Sequence, residues 1–262
     1  MTLPPPDPAF HWSHETWGPA LRCSGLAAAA QHLFTSRQLE LRASDTAWAA
    51  AAASLGAVPE HVMRVKQVHG NVVRVLTRGE AATTAGHERP DGDAIVSNEP
   101  GLVLAVMVAD CVPILLADLR TGAAGAVHAG WRGTCAGVAA AAVARLTSEF
   151  GSRPGDVIAA IGPSIGPDDY EVGEPLVKAF RNAGHSSGDI ARWFLRRRTA
   201  LHLDLWSANR DQLAAAGVSA DRIFTAGLST RAHPEVFESY RSDGERAGRM
   251  AALIRVPEPG GS

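Results

Sequence analysis

Leu102-Val103-Leu104-Ala105-Val106-Met107-Val108 is a nearly continuous apolar run, and it leads directly into Ala109-Asp110-Cys111-Val112-Pro113. No polar residue alternates through it, so it reads as a strand covered on both faces, in a sheet with further layers packed against it. Downstream, residues 112–117 form a further strand, and Pro113 near its start suits an edge or bulge position because proline cannot donate to a ladder. Residues 124–127 make a short strand that runs into His128-Ala129-Gly130-Trp131-Arg132-Gly133-Thr134. An alanine-rich helix then extends to about Phe150. Residues 156–161 predict another strand, ending in the turn Gly162-Pro163. A helix follows over 175–183, and Asp204 caps a second that runs to Gly217. A short strand at 222–225 and a closing helix or helix–strand at 244–254 complete the pattern.

Working upstream, Ser44 or Asp45 caps a helix that Gly56 stops, with Pro59 just beyond. Two β-rich runs, 62–68 and 72–76, flank His69-Gly70-Asn71 and read as a tight strand–turn–strand with the histidine at the bend. Residues 79–93 are polar and glycine-bearing, hence a surface loop, and a strand begins at Asp93 and continues to Val96. Residues 1–30 read as a frayed, partly ordered start with a short alanine-rich segment, and 257–262 as a disordered tail. No repeat or linker divides the rest. Helices and strands alternate in mixed order, so the expectation is an α/β (α+β) fold: one domain, residues 31–256, built on a mixed β-sheet flanked by helices.

The chain has 262 residues, of which 46% are hydrophobic and 20% charged, enough for a substantial core. A formal net charge of −2 with no basic face argues against a nucleic-acid protein. The one dense basic run, Arg196-Arg197-Arg198, reads as a solvated loop or helix end. Three cysteines, Cys23, Cys111 and Cys135, are too few and scattered for a disulfide framework, and no C-x-x-C pair occurs. The proline-rich start lacks the apolar centre of a signal peptide, and the apolar runs are too short to span a bilayer. A cytoplasmic protein is expected.

His69, Cys111 and His128 sit at the ends of buried strands, in or beside glycine-containing turns. Each has a structural reading: Cys111 could be a core thiol and the histidines ordinary polar residues. Asp110 shifts the balance, because a carboxylate at a strand end marks a chain emerging into a polar cleft. Two imidazoles and one thiolate are a common catalytic zinc set, with a fourth position left for water or substrate. The turn carrying Gly130, Arg132 and Gly133 before a helix near Thr134 reads either as an anion site or as a glycine-rich connection with a surface arginine. Trp131 could stack on a ligand or wall the core, and Cys135 reads as a helix-packing residue. Neither a P-loop nor a dinucleotide fingerprint occurs, and no G-x-S-x-G elbow.

Several runs resemble the polyphenol oxidase or laccase-domain family, described as zinc-dependent purine nucleoside phosphorylases with adenosine deaminase activity. They are Lys66-Gln67-Val68-His69-Gly70, Asp91-Gly92-Asp93-Ala94, Ala109-Asp110-Cys111-Val112-Pro113 and His128 to Gly133. Ile161-Gly162-Pro163-Ser164-Ile165, Tyr170-Glu171-Val172-Gly173, Ser239-Tyr240-Arg241 and Gly248-Arg249 extend the likeness over residues 33–254. The resemblance implies that His69, Cys111 and His128 form the zinc and catalytic cluster and that Arg37 lies in the active site. It implies purine nucleosides (adenosine, inosine, guanosine, methylthioadenosine) and phosphate as substrates. Together with Arg37, Asp110 and Arg132 from the strand end and the glycine turn are the candidate substrate or phosphate contacts. This chain departs from the family pattern at Gln38-Leu39-Glu40-Leu41, Asp45-Thr46, Asp169 and Leu228-Ser229-Thr230. Three rival readings are a multicopper oxidase, a metal-free hydrolase with Cys111 as nucleophile, and a non-enzymatic protein stapled by a metal. The ten histidines include no His-x-His pair, which speaks against the first.

Overall fold

In the computed structural model, which describes residues 2–42, 44–76, 89–197 and 199–257, the apolar run becomes β7 (Val103–Val108), an inner strand of a six-stranded sheet. Across that sheet the order is β1 (Phe10–Glu15), β2 (Gly18–Cys23), β3 (His32–Thr35), β15 (Met250–Arg255), β7 and β4 (Val62–Met63). A second six-stranded sheet runs β14 (Ile223–Thr225), β10 (Val157–Ile161), β8 (Val112–Asp118), β9 (Ala124–Ala129), β6 (Ala94–Ser97) and β5 (Val73–Val75). Both mix parallel and antiparallel pairs: β4 runs parallel to β7, and β15 antiparallel to it.

The two sheets stack face to face, and period-two alternation assigns each residue its side. Leu104, Val106 and Ile254 of the first sheet meet Ile95, Leu115 and Ala126 of the second in a shared buried core. Val103, Ala105 and Leu253 point the other way, onto Trp48, Ala51 and Leu55 around helix α2 (Asp45–Ala53). On the far side of the second sheet, Ile114, Leu116 and Val127 pack beneath α4 (Val138–Phe150) and α7 (Leu205–Ala215). The fold is a four-layer α/β/β/α stack, so β7 is covered on both faces as its composition demands. Short α1 (Ser24–Ala27) joins β2 to β3, and α3 (Trp131–Cys135) precedes α4. A small third sheet, β11 (Glu171–Val172), β13 (Ala200–Leu203) and β12 (Phe194–Arg197), stands beside α5 (Glu174–Asn182) and α6 (Ser187–Trp193).

Both capped helices form as read: the Ser44 and Asp204 side chains accept from Ala47 N and Ser207 N, at 3.1 and 2.9 Å. Several other expectations are corrected. The frayed start is instead the β1–β2 hairpin, closed with Gly18 at φ +134° and hydrogen-bonded into the first sheet through β3. Residues 62–68 and 72–76 form no hairpin, because β4 joins the first sheet and β5 the second. Beyond Met63 the Gln67 side chain takes over the edge of β7, donating to Met107 O at 2.7 Å and accepting from Met107 N at 2.8 Å. The alanine-rich helix breaks at Gly137, whose φ of +76° separates α3 from α4.

Pro113 lies in an inner strand rather than at an edge or bulge. Its missing N–H falls opposite Gly162, where β10 has just ended, and the Ser164 hydroxyl donates to the Gly162 carbonyl instead, at 3.4 Å. Arg196 and Arg197 occupy β12 and pair with Glu174 and Asp168. Arg198, most of the 79–93 loop and the 258–262 part of the expected tail lie outside the described residues.

Candidate metal centre

Three connections decide the geometry at one end of the stack. The link from β4 to β5 crosses from the first sheet to the second and carries His69; the link from β7 to β8 makes the same crossing and carries Cys111. His128 belongs to β9 itself. Ala124 and Ala126 face the shared core while Val127 and Ala129 face the helices, so alternation aims His128 between the sheets. The three side chains expected to meet do meet: their donor atoms lie within 4.8 Å of one another. The imidazole centroids of His69 and His128 are 4.8 Å apart with the rings nearly perpendicular.

Asp93, fully buried at the head of β6, organises two of the three. Its Oδ1 accepts from His128 Nδ1 at 2.9 Å and from the His69 backbone N–H at 2.8 Å, and its Oδ2 accepts from Gly70 N at 2.6 Å. Burial works against ionisation of Asp93, but the bonds from His128, Gly70 and His69 hold it below the usual carboxylate range. With Nδ1 committed to Asp93, His128 turns Nε2 toward Cys111; a carboxylate behind an imidazole in this way fixes the ring's orientation for a metal. Burial pushes the Cys111 thiol up, yet the charge and hydrogen bond of His128, with a further bond from His69, pull it well below its ordinary value. His128 is held above its ordinary value by Cys111 and Asp93, against its burial.

The backbone is bent to bring these groups together. His69 (φ +62°) and Asp110 (φ +81°) are the non-glycine residues with positive φ among the described residues, and both adjoin the cluster. Such conformations cost free energy and persist where the surroundings over-determine them. Gly130 has no room for a side chain: a Cβ there would lie 2.8 Å from Cys111 Sγ and 3.3 Å from His69 Cδ2. Two imidazoles and a thiolate this close fit a borderline-soft ion such as zinc or copper.

The cluster opens onto a cleft of about 1010 Å³. Val65, Met107, Trp131, Ile165 and Leu205 supply apolar wall, and Lys66, Arg89, Arg132, Arg241 and Arg249 supply positive charge. Arg132 lines it, with its guanidinium carbon 4.4 Å from the Trp131 ring centroid. The anticipated helix start at the Gly130 turn is a single five-residue turn, so any anion affinity there rests on Arg132 and not on a helix dipole. Asp110 also borders the cleft, but its carboxylate is engaged by Thr230 Oγ1 (2.6 Å), Ser239 Oγ (3.1 Å) and Arg241 N (2.6 Å). Arg37 lies elsewhere. It borders a second, smaller hollow with Arg42 and Arg246, pairs with Glu238 and donates to Pro234 O. Arg249 lines both spaces. Cys135 packs against the helix-side core and Cys23 is fully buried, so neither joins the cluster.

Sequence reasoning passed over Asp93, Tyr170, Arg241 and Arg249 as individual groups. Asp93 left a usable signal, a carboxylate at the head of an apolar strand. Tyr170 and Arg241 stood only within runs that resemble the family, with no local sign of a role, because their partners lie far away in the chain.

Residues 40–257 match the family model described as multi-copper polyphenol oxidoreductase laccase. The protein of Deinococcus radiodurans named purine nucleoside phosphorylase is 41% identical over 207 residues, covering 79% of this chain and 74% of that one. The Escherichia coli K12 protein named purine nucleoside phosphorylase YfiH is 37% identical over 199 residues, covering 76% and 75%. The crystal structure of YlmD from Geobacillus stearothermophilus superposes with a TM-score of 0.82 at 30% identity, covering 94% of this chain and 99% of that one.

Proposed function

Given that the chain belongs to the multi-copper polyphenol oxidoreductase laccase family, which matches it from residue 40 to 257, we propose that it is a purine nucleoside phosphorylase with one zinc ion on His69, Cys111 and His128. Its substrates are adenosine, inosine, guanosine and methylthioadenosine with phosphate, and the same cleft deaminates adenosine. It works in the cytoplasm; no helix among the described residues is long and apolar enough to cross a membrane. The observation that carries this reading is the three-donor cluster at an open cleft whose walls are apolar on one part and cationic on another. A volume near 1010 Å³ is ample for a nucleoside and an anion together.

In phosphorolysis a phosphate oxygen bonds to the anomeric carbon as the C–N bond breaks. The purine leaves with the electron pair and takes up a proton, giving free base and ribose 1-phosphate. The cleft's part is to hold two reactants in line and to offset the anion's charge with its arginines. In deamination, water adds at the purine carbon bearing the amino group and ammonia leaves. A zinc ion held by the three donors supplies Lewis acidity at that point of the cleft. Asp93 keeps the proton on His128 Nδ1 and so leaves Nε2 as the donor.

The donor count favours this over multicopper oxidase chemistry. A trinuclear copper centre draws on several His-x-His pairs; among the described residues one three-donor group forms. A second reading has its own support: the lowered Cys111 thiol beside a raised His128 is the pairing of a cysteine hydrolase. Chromatography of the products from adenosine, with and without phosphate, separates them when wild type and Cys111→Ala are compared. Free adenine and ribose 1-phosphate only with phosphate, lost on chelation, is the expected result. Unchanged nucleoside from zinc-loaded wild type under every condition would overturn the proposal, and chelator-resistant ester or amide cleavage would favour the hydrolase.

A further inference from the structure

The five cations that line the cleft among the described residues are not equivalent. Lys66 is already paired with Asp91 at 3.5 Å. Arg249 turns Nη1 back onto the carbonyls of Ala247 and Gly248, at 3.0 and 2.8 Å. Arg89 stands near enough to Arg64 for the two charges to oppose each other. Arg132 and Arg241 are set apart by stacking. Each lies over an aromatic ring, Arg132 on Trp131 at 4.4 Å and Arg241 on Tyr170 at 4.9 Å. Neither has a carboxylate partner among the described residues. Both face the cavity that holds the three-donor cluster. Stacking holds a guanidinium in place while leaving N–H groups for an oxyanion; Arg241 spends Nη1 on Glu171 O and keeps Nε and Nη2 without a partner among the described residues.

Tyr170 ties the two together. It lines the same cavity, carries Arg241 on its ring, and lies close enough to Cys111, Arg241, Asp110 and Arg132 to feel the charge of each. Its hydroxyl has no hydrogen-bond partner among the described residues. The segment around it is held firmly: Tyr170 O accepts from Leu203 N at 3.0 Å, and Arg241 Nη1 donates to Glu171 O at 2.9 Å. Arg241 is also anchored through its backbone N–H, which Asp110 accepts at 2.6 Å, and Asp110 immediately precedes Cys111. Asp110, the one acidic side chain among the cavity's described lining residues, therefore has its charge spent on Thr230, Ser239 and Arg241, and it positions a cation there.

We propose that Arg132, Arg241 and the Tyr170 hydroxyl form the phosphate seat of this cleft, with the two guanidinium edges and the phenol O–H converging on one oxyanion beside Cys111. The seat deepens the phosphorylase reading and rests on it for its role in turnover, but its existence is testable without turnover. Arg37, with its own carboxylate partner in the neighbouring hollow, is not part of it.

The test is titration of the metal-loaded enzyme with inorganic phosphate by calorimetry, together with phosphate and nucleoside KM values. Tyr170→Phe, which keeps the ring under Arg241, should weaken phosphate binding about tenfold, and Arg241→Gln about a hundredfold. Both should raise the KM for phosphate in step while the KM for nucleoside stays within about twofold. Arg241→Lys, which keeps the charge without the fork, should fall between wild type and Gln. Unchanged phosphate affinity in both variants, folded and metal-loaded, would overturn the seat, as would a wild type that takes up no phosphate at all. Phosphate binding that both variants lose, in a protein that cleaves no nucleoside, would uphold the seat and sink the phosphorylase reading instead.

Discussion

Asp93 Oδ1 accepts a hydrogen bond from His128 Nδ1 at 2.9 Å, inside a site where Asp93 is fully buried and His128 nearly so. The same carboxylate holds the His69 and Gly70 backbone N–H groups, so one side chain sets the tautomer of one donor and the loop of another. Asp93→Asn keeps the shape but replaces one accepting oxygen by a donor that faces a donor. We expect metal affinity to drop about 10- to 100-fold and stability by about 1–3 kcal/mol. Competition titration against a chromophoric chelator and urea unfolding measure the two. Wild-type metal affinity in a folded Asp93→Asn would remove Asp93 from the account.

Gly130→Ala and Gly137→Ala form a contrasting pair. At Gly130 the new methyl meets Cys111 Sγ at 2.8 Å, whereas at Gly137, with φ +76°, nothing lies within 4 Å. Gly137→Ala should cost about 1–2 kcal/mol of backbone strain and leave metal stoichiometry untouched. Gly130→Ala should cut bound metal well below one per chain. Equal metal content in the two variants would show that Gly130 imposes no steric limit.

Removing metal from wild type should lower the melting temperature, and the loss should scale with the logarithm of free metal over Kd. Cys111→Ala should melt at the same temperature with and without chelator. A chelator-induced shift of wild-type size in Cys111→Ala would mean that the stabilising ion sits elsewhere.

His32 gives the chain a pH sensitivity remote from the cleft. Its ring accepts from Cys23 N at 2.8 Å and donates to Ala30 O at 2.9 Å, and burial lowers its pKa from 6.5 to about 4. The folded state therefore favours the neutral ring. Its contribution is complete above about pH 6.5 and is lost as pH falls toward 4, a span worth about 3 kcal/mol. Urea titrations of wild type and His32→Gln at pH 7.5, 5.5 and 4.5 should show the wild-type curve falling more steeply. Parallel curves would assign the acid sensitivity to other groups.

The site was more legible in the sequence than the sheet that holds it. His69, Cys111 and His128 stand out because polar, ligand-capable residues at the ends of apolar runs have few other reasons to be there. The caps at Ser44 and Asp204 and the buried strand at 103–108 are local signals, and local signals survive folding. What was hidden depends on partners far away in sequence. Nothing in residues 62–76 announces that the two halves belong to different sheets, since that choice is made by β7 and β6. Pro113 looked like an edge residue because the Ser164 hydroxyl that stands in for its missing N–H is supplied by another segment. Arg37 stands beside Glu238 for a similar reason: a partner from the far end of the chain fixes its place.

The crossing links that bear His69 and Cys111 also say something about order in time. Neither donor reaches the others until both sheets have formed and closed upon each other, so the denatured chain holds no nascent binding motif for an ion to nucleate. Metal would then arrive as a late event, leaving the refolding rate nearly indifferent to its concentration while slowing the unfolding rate in proportion to occupancy. A protein built this way would owe its persistence, more than its birth, to an ion bound there.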